Sequence, residues 1–211
     1  MHKFTDIRMA VISLAILVSV SCTEKLERDW KQFEPYTENF NLTEIDADGN
    51  EYLEVSAVKS ISKSDVEKYV IGNGWKSVAV YELDKNKDVA GVWELKDDLP
   101  LINEQTLHDC FEVKGFGENQ LIQYGLLDGR YEDLDFAYDE NDNSISLDAC
   151  WFVAHNGKLV FLSDDVMVCV DGKEWVAEGR NPYVFMVVFE RVSKSTLRDW
   201  RRQCPNPRLW I

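Results

Sequence analysis

Histidine is scarce in this chain: there are three in 211 residues, and only His108 and His155 lie beyond the N-terminal stretch. Two histidines so far apart leave little with which to build a histidine metal centre. Basic residues are outnumbered 38 to 23 by acidic ones, for a formal charge of -15. That balance excludes a nucleic-acid binder, which needs clustered Lys and Arg, and electrostatic adhesion to an anionic membrane surface. No Gly-x-Ser-x-Gly, His-Glu-x-x-His, P-loop or dinucleotide glycine pattern occurs. Asp97-Asp98 and Asp164-Asp165 are neighbours in loops, not carboxylates facing each other across a cleft. His108 and Cys110 share a strand face at i, i+2, but read more simply as a surface His beside a buried Cys. These absences argue against an enzyme, and neither a cofactor nor a metal is expected. No apolar run reaches the roughly 20 residues that a membrane-spanning helix needs. Repeats and low-complexity tracts are missing too.

What is present is core material: 45% of residues are hydrophobic and 12% aromatic. The length suits one domain with a small appendage. Residues 1–21 read as a signal peptide, with Lys3 and Arg8 ahead of the apolar run Met9 to Val18. Ser19-Val20-Ser21-Cys22 follows and resembles the lipobox of bacterial lipoproteins. The resemblance implies cleavage after Ser21 and acylation of Cys22, a lipid anchor holding the protein to a membrane. Ordinary signal cleavage at the same small-x-small site is the alternative. Thr23 stands where Asp would mark inner-membrane retention, so the expected location is the outer membrane or cell surface.

Residues 22–60 carry Trp30, Phe33, Tyr36 and Phe40, too many aromatics for a bare tether, so part of the segment is expected to dock on the domain. Ile45 to Glu51 reads as a turn; Gly49 is misplaced for a calcium loop. Ser62 to Ile71 has the signals of a short helix: Ser62 as N-cap, Asp65 at N3, Ile61 and Val66 as a hydrophobic staple, and Gly72 as terminator. From Trp75 onward, strands are expected over 75–83, 88–95, 107–114, 119–126, 131–138, 144–153, 158–163, 166–171 and 183–192. Turn chemistry links them, as at Asp128-Gly129, Asn156-Gly157 and Asp171-Gly172. Leu134, Phe136 and Tyr138 alternate with Tyr131, Asp133 and Asp135, and Ile145, Leu147, Ala149, Trp151 and Val153 make a further apolar face.

About eight strands with tight turns point to a mostly β fold. The expected form is a closed or nearly closed antiparallel up-and-down barrel over 61–192, with a sandwich as the alternative. The strand 183–192 is apolar on both faces, so a C-terminal helix and tail over 193–211 (the helix capped by Ser193, stopped by Pro205 and Pro207, with Leu197 and Trp200 inward) are expected to cover its outside. Arg198, Arg201 and Arg202 form a basic knob there, either solvated or facing a partner. Cys110, Cys150, Cys169 and Cys204 allow three complete pairings or none.

The short helix, Gly72-Asn73-Gly74-Trp75 at the first strand and Phe189-Glu190-Arg191-Val192 at the last together resemble the lipocalin-like lipoproteins of the Bacteroidetes. Leu162 to Val168 resembles a hairpin common among them. The likeness covers about residues 62–192. It implies that the short helix plugs one end of a lipocalin-like barrel and that Arg191 packs on Trp75 where the first and last strands meet. The expected function is a membrane-anchored envelope lipoprotein binding a small apolar or sugar-like ligand. Tyr81, Trp93, Phe111, Tyr124, Phe136 and Trp151 are available for a pocket or for the core. The alternative is a filled barrel that holds a protein partner.

Overall fold

A computed structural model of the protein describes residues 34–47, 50–93, 109–150, 153, 157–172 and 181–208. Cys22, His108, Trp151 and His155, and the side chain of Trp93, lie outside what is described. The chain divides into two units, Met1–Thr37 and Glu38–Ile211. The first contributes residues 34–37 of a 3-10 helix, Glu34–Asn39; everything below belongs to the second.

Twelve strands are described, paired antiparallel except the last. The first two, β1 (Phe40–Ala47) and β2 (Asn50–Ala57), form a separate hairpin. Its tip, residues 48–49, is the centre of the expected turn and lies outside the described residues. The other strands are β3 (Gly74–Leu83), β4 (Val89–Trp93), β5 (Cys110–Val113), β6 (Gly117–Gly125), β7 (Arg130–Asp139), β8 (Ser144–Leu147), β9 (Gly157–Leu162), β10 (Val166–Gly172), β11 (Val184–Arg191) and β12 (Asn206–Pro207). Each of the nine strands expected from 75 to 192 overlaps one of β3 to β11. Hydrogen bonding runs β3-β5-β6-β7-β8-β9-β10-β11 and returns to β3, a ring of eight strands. β4 shares one flank of β3 with β5: Val80 to Leu83 pair with β4, Gly74 to Lys76 with β5.

Helix α1 (Lys63–Tyr69) forms where its end signals stand. Ser62 Oγ accepts from the Asp65 N–H at 3.1 Å, and Gly72 takes φ +76 just beyond the helix. That left-handed value suits glycine alone without strain. Val66 and Val70 enter the core cluster, so α1 packs on the ring interior. The same cluster holds Trp75, Val80, Phe111, Leu121, Phe136 and Phe189, the inward set of the alternating strands.

Two expectations need correction. The strand expected over 144–153 stops at Leu147. Cys150 N–H bonds the Leu147 carbonyl and Val153 N–H the Cys150 carbonyl, turning the chain inward. Ala149, Cys150 and Val153 are buried by that turn, so their apolar pattern reports burial rather than extension. Gly157 makes room for it: a Cβ there would lie 3.3 Å from Val153 Cβ.

The C-terminal helix α2 (Lys194–Gln203) does lie outside the ring, but over β5 and β6 rather than β11. Its Leu197 and Trp200 cluster with Cys110, Ile122, Tyr124 and Cys204. Gly74 permits this seat, because a Cβ would come within 2.9 Å of Val192 Cγ2 and 3.0 Å of Leu197 Cδ1.

The β1–β2 hairpin packs on neighbouring strands. β2 touches β9 and β10, while Lys85–Glu44 and the Lys87 Nζ donation to the Phe40 carbonyl tie β1 to the β3–β4 turn. Phe40, Leu53 and Val55 supply the hairpin's buried face, and Val184, Met186 and Val188 of β11 are buried as well.

Candidate functional site

Trp75 and Arg191 are direct partners in the β3–β11 register, so the first and last strands of the ring do meet there. Both terminal nitrogens of Arg191 bond the Asp164 carboxylate, at 2.7 and 2.8 Å, and one also reaches Asp165 Oδ1 at 3.2 Å. The carboxylate in the adjacent β9–β10 turn thus engages the edge of the guanidinium in bidentate fashion. Arg191 is thereby held over the ring end by the turn Leu162 to Val166, whose Ser163 Oγ accepts from the Val166 N–H at 3.0 Å.

Trp75 is wholly buried, and its Nε1–H has no hydrogen-bond partner. Such a donor costs about 1–3 kcal/mol and is rare in protein interiors. Phe111, its register partner on β5, meets Phe189 edge to face at 5.4 Å.

Farther along the same interior face, Glu82 (β3), Phe185 (β11) and Asp171 (β10) lie in one cross-strand row. Glu82 is 8% and Asp171 4% exposed. Phe185 packs edge to face with Tyr183 at 5.3 Å. Two carboxylates beside an aromatic pair make this the polar end of the interior, opposite α1. The alternation at Glu82 and Asp171 carried no signal at the sequence level, because isolated acids in strands usually face water.

Between these ends sits Asp109. Its N–H donates to Ser77 Oγ at 2.7 Å, and its carbonyl accepts from the Ser77 N–H at 3.0 Å. Burial pushes its carboxyl up to about 6, opposed by a hydrogen bond from the Cys150 thiol. Gln123 Nε2 donates to the Ala149 carbonyl at 2.9 Å, so both neighbours of the inward turn are held from the wall.

Of the aromatics considered for a pocket, Phe111 and Phe136 face inward. Tyr124 faces outward under α2, where its hydroxyl donates to Glu112 Oε2 at 2.9 Å. Tyr81, opposite Met186, is on the outer side as well. Arg201 of the basic knob bonds Glu112 through Nε, at 3.1 Å, and a terminal nitrogen; Arg202 pairs with Asp199. Cys110, Cys150, Cys169 and Cys204 are buried thiols rather than disulfides. Burial raises the Cys169 thiol strongly and the Cys204 thiol too, which keeps both protonated rather than nucleophilic. Among the described residues no group of three or more His, Cys, Asp or Glu is placed to hold a metal ion.

At the α1 end Asn143 acts as a clasp. Its Nδ2 donates to the Lys59 and Leu159 carbonyls, at 2.8 and 3.0 Å, and its Oδ1 accepts from the Ile61 N–H at 3.2 Å. Tyr138 OH donates to the Ile61 carbonyl at 2.7 Å, and burial, with Glu140 and Asp142 nearby, pushes it up to about 12. Set against known proteins, the chain matches no protein-family model, no curated protein and no solved structure.

Proposed function

We propose that the chain is a non-catalytic, membrane-anchored envelope lipoprotein whose ring of strands is a lipocalin-like barrel binding a small apolar or sugar-like ligand. One observation carries the binding reading: Glu82 and Asp171 face the interior of a closed ring beside Phe185, where a purely structural core would hold apolar side chains. Small-ligand sites combine an apolar lining with a few placed polar groups and favour the mouths of strand barrels. The anchor reading rests on the apolar run before Ser21-Cys22. Native mass spectrometry of protein purified from its own host is the test. A retained small molecule, released by Glu82→Gln together with Asp171→Asn, is expected; a bare polypeptide mass would count against binding. For the anchor, Cys22→Ser should abolish membrane fractionation.

A second reading has its own observation. Ala149, Cys150 and Val153 fold into the interior and fill part of it. A filled ring suits a protein that holds a partner through its surface, and a co-purifying subunit in the same experiment would favour it.

A further inference from the structure

We propose that the outer face of α2 is a docking surface for a short acidic segment of a protein partner. This deepens the partner reading above and is independent of the small-ligand reading. The helix carries Lys194, Arg198, Arg201 and Arg202 against one acid, Asp199, on a chain of formal charge -15. Leu197 and Trp200 hold its other face to the ring, so the cations stand on the side turned to solvent. Arg198, Arg201 and Arg202, with Asp199, line an open groove of about 490 Å³.

The arrangement works against the helix itself. Lys194, Arg198 and Arg202 follow one another at i, i+4 and i+8, where like charges repel. Lys194 also opens the helix, at the end where the dipole disfavours a cation, and no acid stands in the first turn. Arg201 pairs with Glu112 and Arg202 with Asp199. Lys194 and Arg198 are exposed, and neither has an ion-pair partner among the described residues. The fold thus accounts for Arg201 and Arg202 but not for Lys194 and Arg198, and residues that break a local rule without a structural return mark a functional surface.

Spacing and charge set the occupant. Four residues of α-helix rise about 6 Å. Carboxylates at alternate positions of an extended chain stand about 7 Å apart, so successive ones meet Lys194, Arg198 and Arg202. Asp199 in the groove favours singly charged carboxylates over dianionic phosphate. A broad polyanion such as a membrane surface would bring its charge against the acidic remainder of the chain, whereas a short segment meets α2 alone.

The test uses the full chain and a fluorescein-labelled peptide of four Glu-Ser repeats, with Gln-Ser repeats as the neutral control. Anisotropy should show saturable binding of the Glu peptide that weakens as salt rises, and none of the Gln peptide. Lys194→Glu with Arg198→Glu should weaken that binding about tenfold. The thermal midpoint of this variant should stay equal or rise, because the reversal removes the repulsion along the helix. Lys59→Glu with Lys63→Glu makes the same charge change on exposed residues at the α1 end and should leave binding nearly unchanged. Absence of peptide binding, or equal loss in the two double variants, overturns the α2 site. So does displacement of the peptide by phosphatidylcholine–phosphatidylglycerol vesicles, which would assign the face to a membrane. A subunit that co-purifies equally with the wild type and with the α2 variant leaves the partner reading standing and removes α2 from it. No subunit and no peptide binding end both.

Discussion

Arg191 and Asp164 face each other as a two-pronged pair, with hydrogen bonds of 2.7 and 2.8 Å. The pair joins the end of β11 to the β9–β10 turn, where the Arg191 N–H also donates to the Asp165 carbonyl at 2.9 Å. Asp164 is 65% exposed, so solvent screens the attraction. We predict that Asp164→Asn and Arg191→Lys each destabilise by less than about 1 kcal/mol, with a similar coupling in a double-mutant cycle. Denaturant midpoints measure it. A much larger loss in Arg191→Lys alone would show that the planar guanidinium also stacks on Trp75, its register partner.

Glu112 presents the opposite case. Its side chain is 5% exposed beneath α2 and depends on Arg201 for charge compensation. Arg201→Ala should destabilise by about 3–5 kcal/mol, because it strands a buried carboxylate. Adding Glu112→Gln should recover much of that loss, since the amide accepts the Tyr124 hydroxyl without a charge. Urea melts of the three variants check both statements. No recovery in the double variant would show that the loss came from α2 packing.

Asn143, 2% exposed and at φ +57, satisfies carbonyls from two separate segments. Asn143→Ala would leave those carbonyls and the Ile61 N–H without a partner in a left-handed position that alanine dislikes. About 2–4 kcal/mol should be lost. Hydrogen exchange should show faster opening at Ile61 and Leu159 specifically; uniform acceleration would contradict the clasp.

The carboxyl of Asp109 titrates near 6 in the folded protein against 3.8 for the free side chain. Between those values the folded state holds more protons than the unfolded one, so stability falls as pH rises from about 4 to about 6. The loss is about 3 kcal/mol at most, at roughly 1.4 kcal/mol per pKa unit. Asp109→Asn should flatten that window. Asp142 works oppositely and elsewhere: Lys158 and Ser144 hold it down to about 2, so its contribution disappears as pH falls from about 4 to about 2. Stability curves from pH 2 to 7 separate the two, and an unchanged slope between 4 and 6 in Asp109→Asn would refute the first.

Trp200 is 5% exposed and stacks near Tyr124, with ring centres 5.8 Å apart. Trp200→Ala should cost about 3–5 kcal/mol. Gly74→Ala should also destabilise, by pushing Val192 and Leu197 away from the sheet. If both variants melt like the wild type, α2 does not hold to β5 and β6.

The sequence by itself determined the local features. Ser62 and Ser193 cap helices because a hydroxyl before a helical run satisfies an N–H two or three residues on, whatever the rest of the chain does. The nine strands from 75 to 192 were legible because alternation and turn residues act within a few positions. Tertiary structure alone decided which surfaces meet. Apolar periodicity shows that a face is covered, never by what. Hence the two apolar faces of β11 did not place the C-terminal helix, which settled on β5 and β6. The pattern through Ala149 and Val153 likewise described burial, which an inward turn achieves as well as a strand. Arg191 reaches Asp164 because ring closure brings the end of β11 beside the β9–β10 turn, a neighbour that no local pattern names. The interior placement of Glu82 and Asp171, and the unmatched donor of Trp75, follow from ring closure between strands that are a hundred residues apart in the chain.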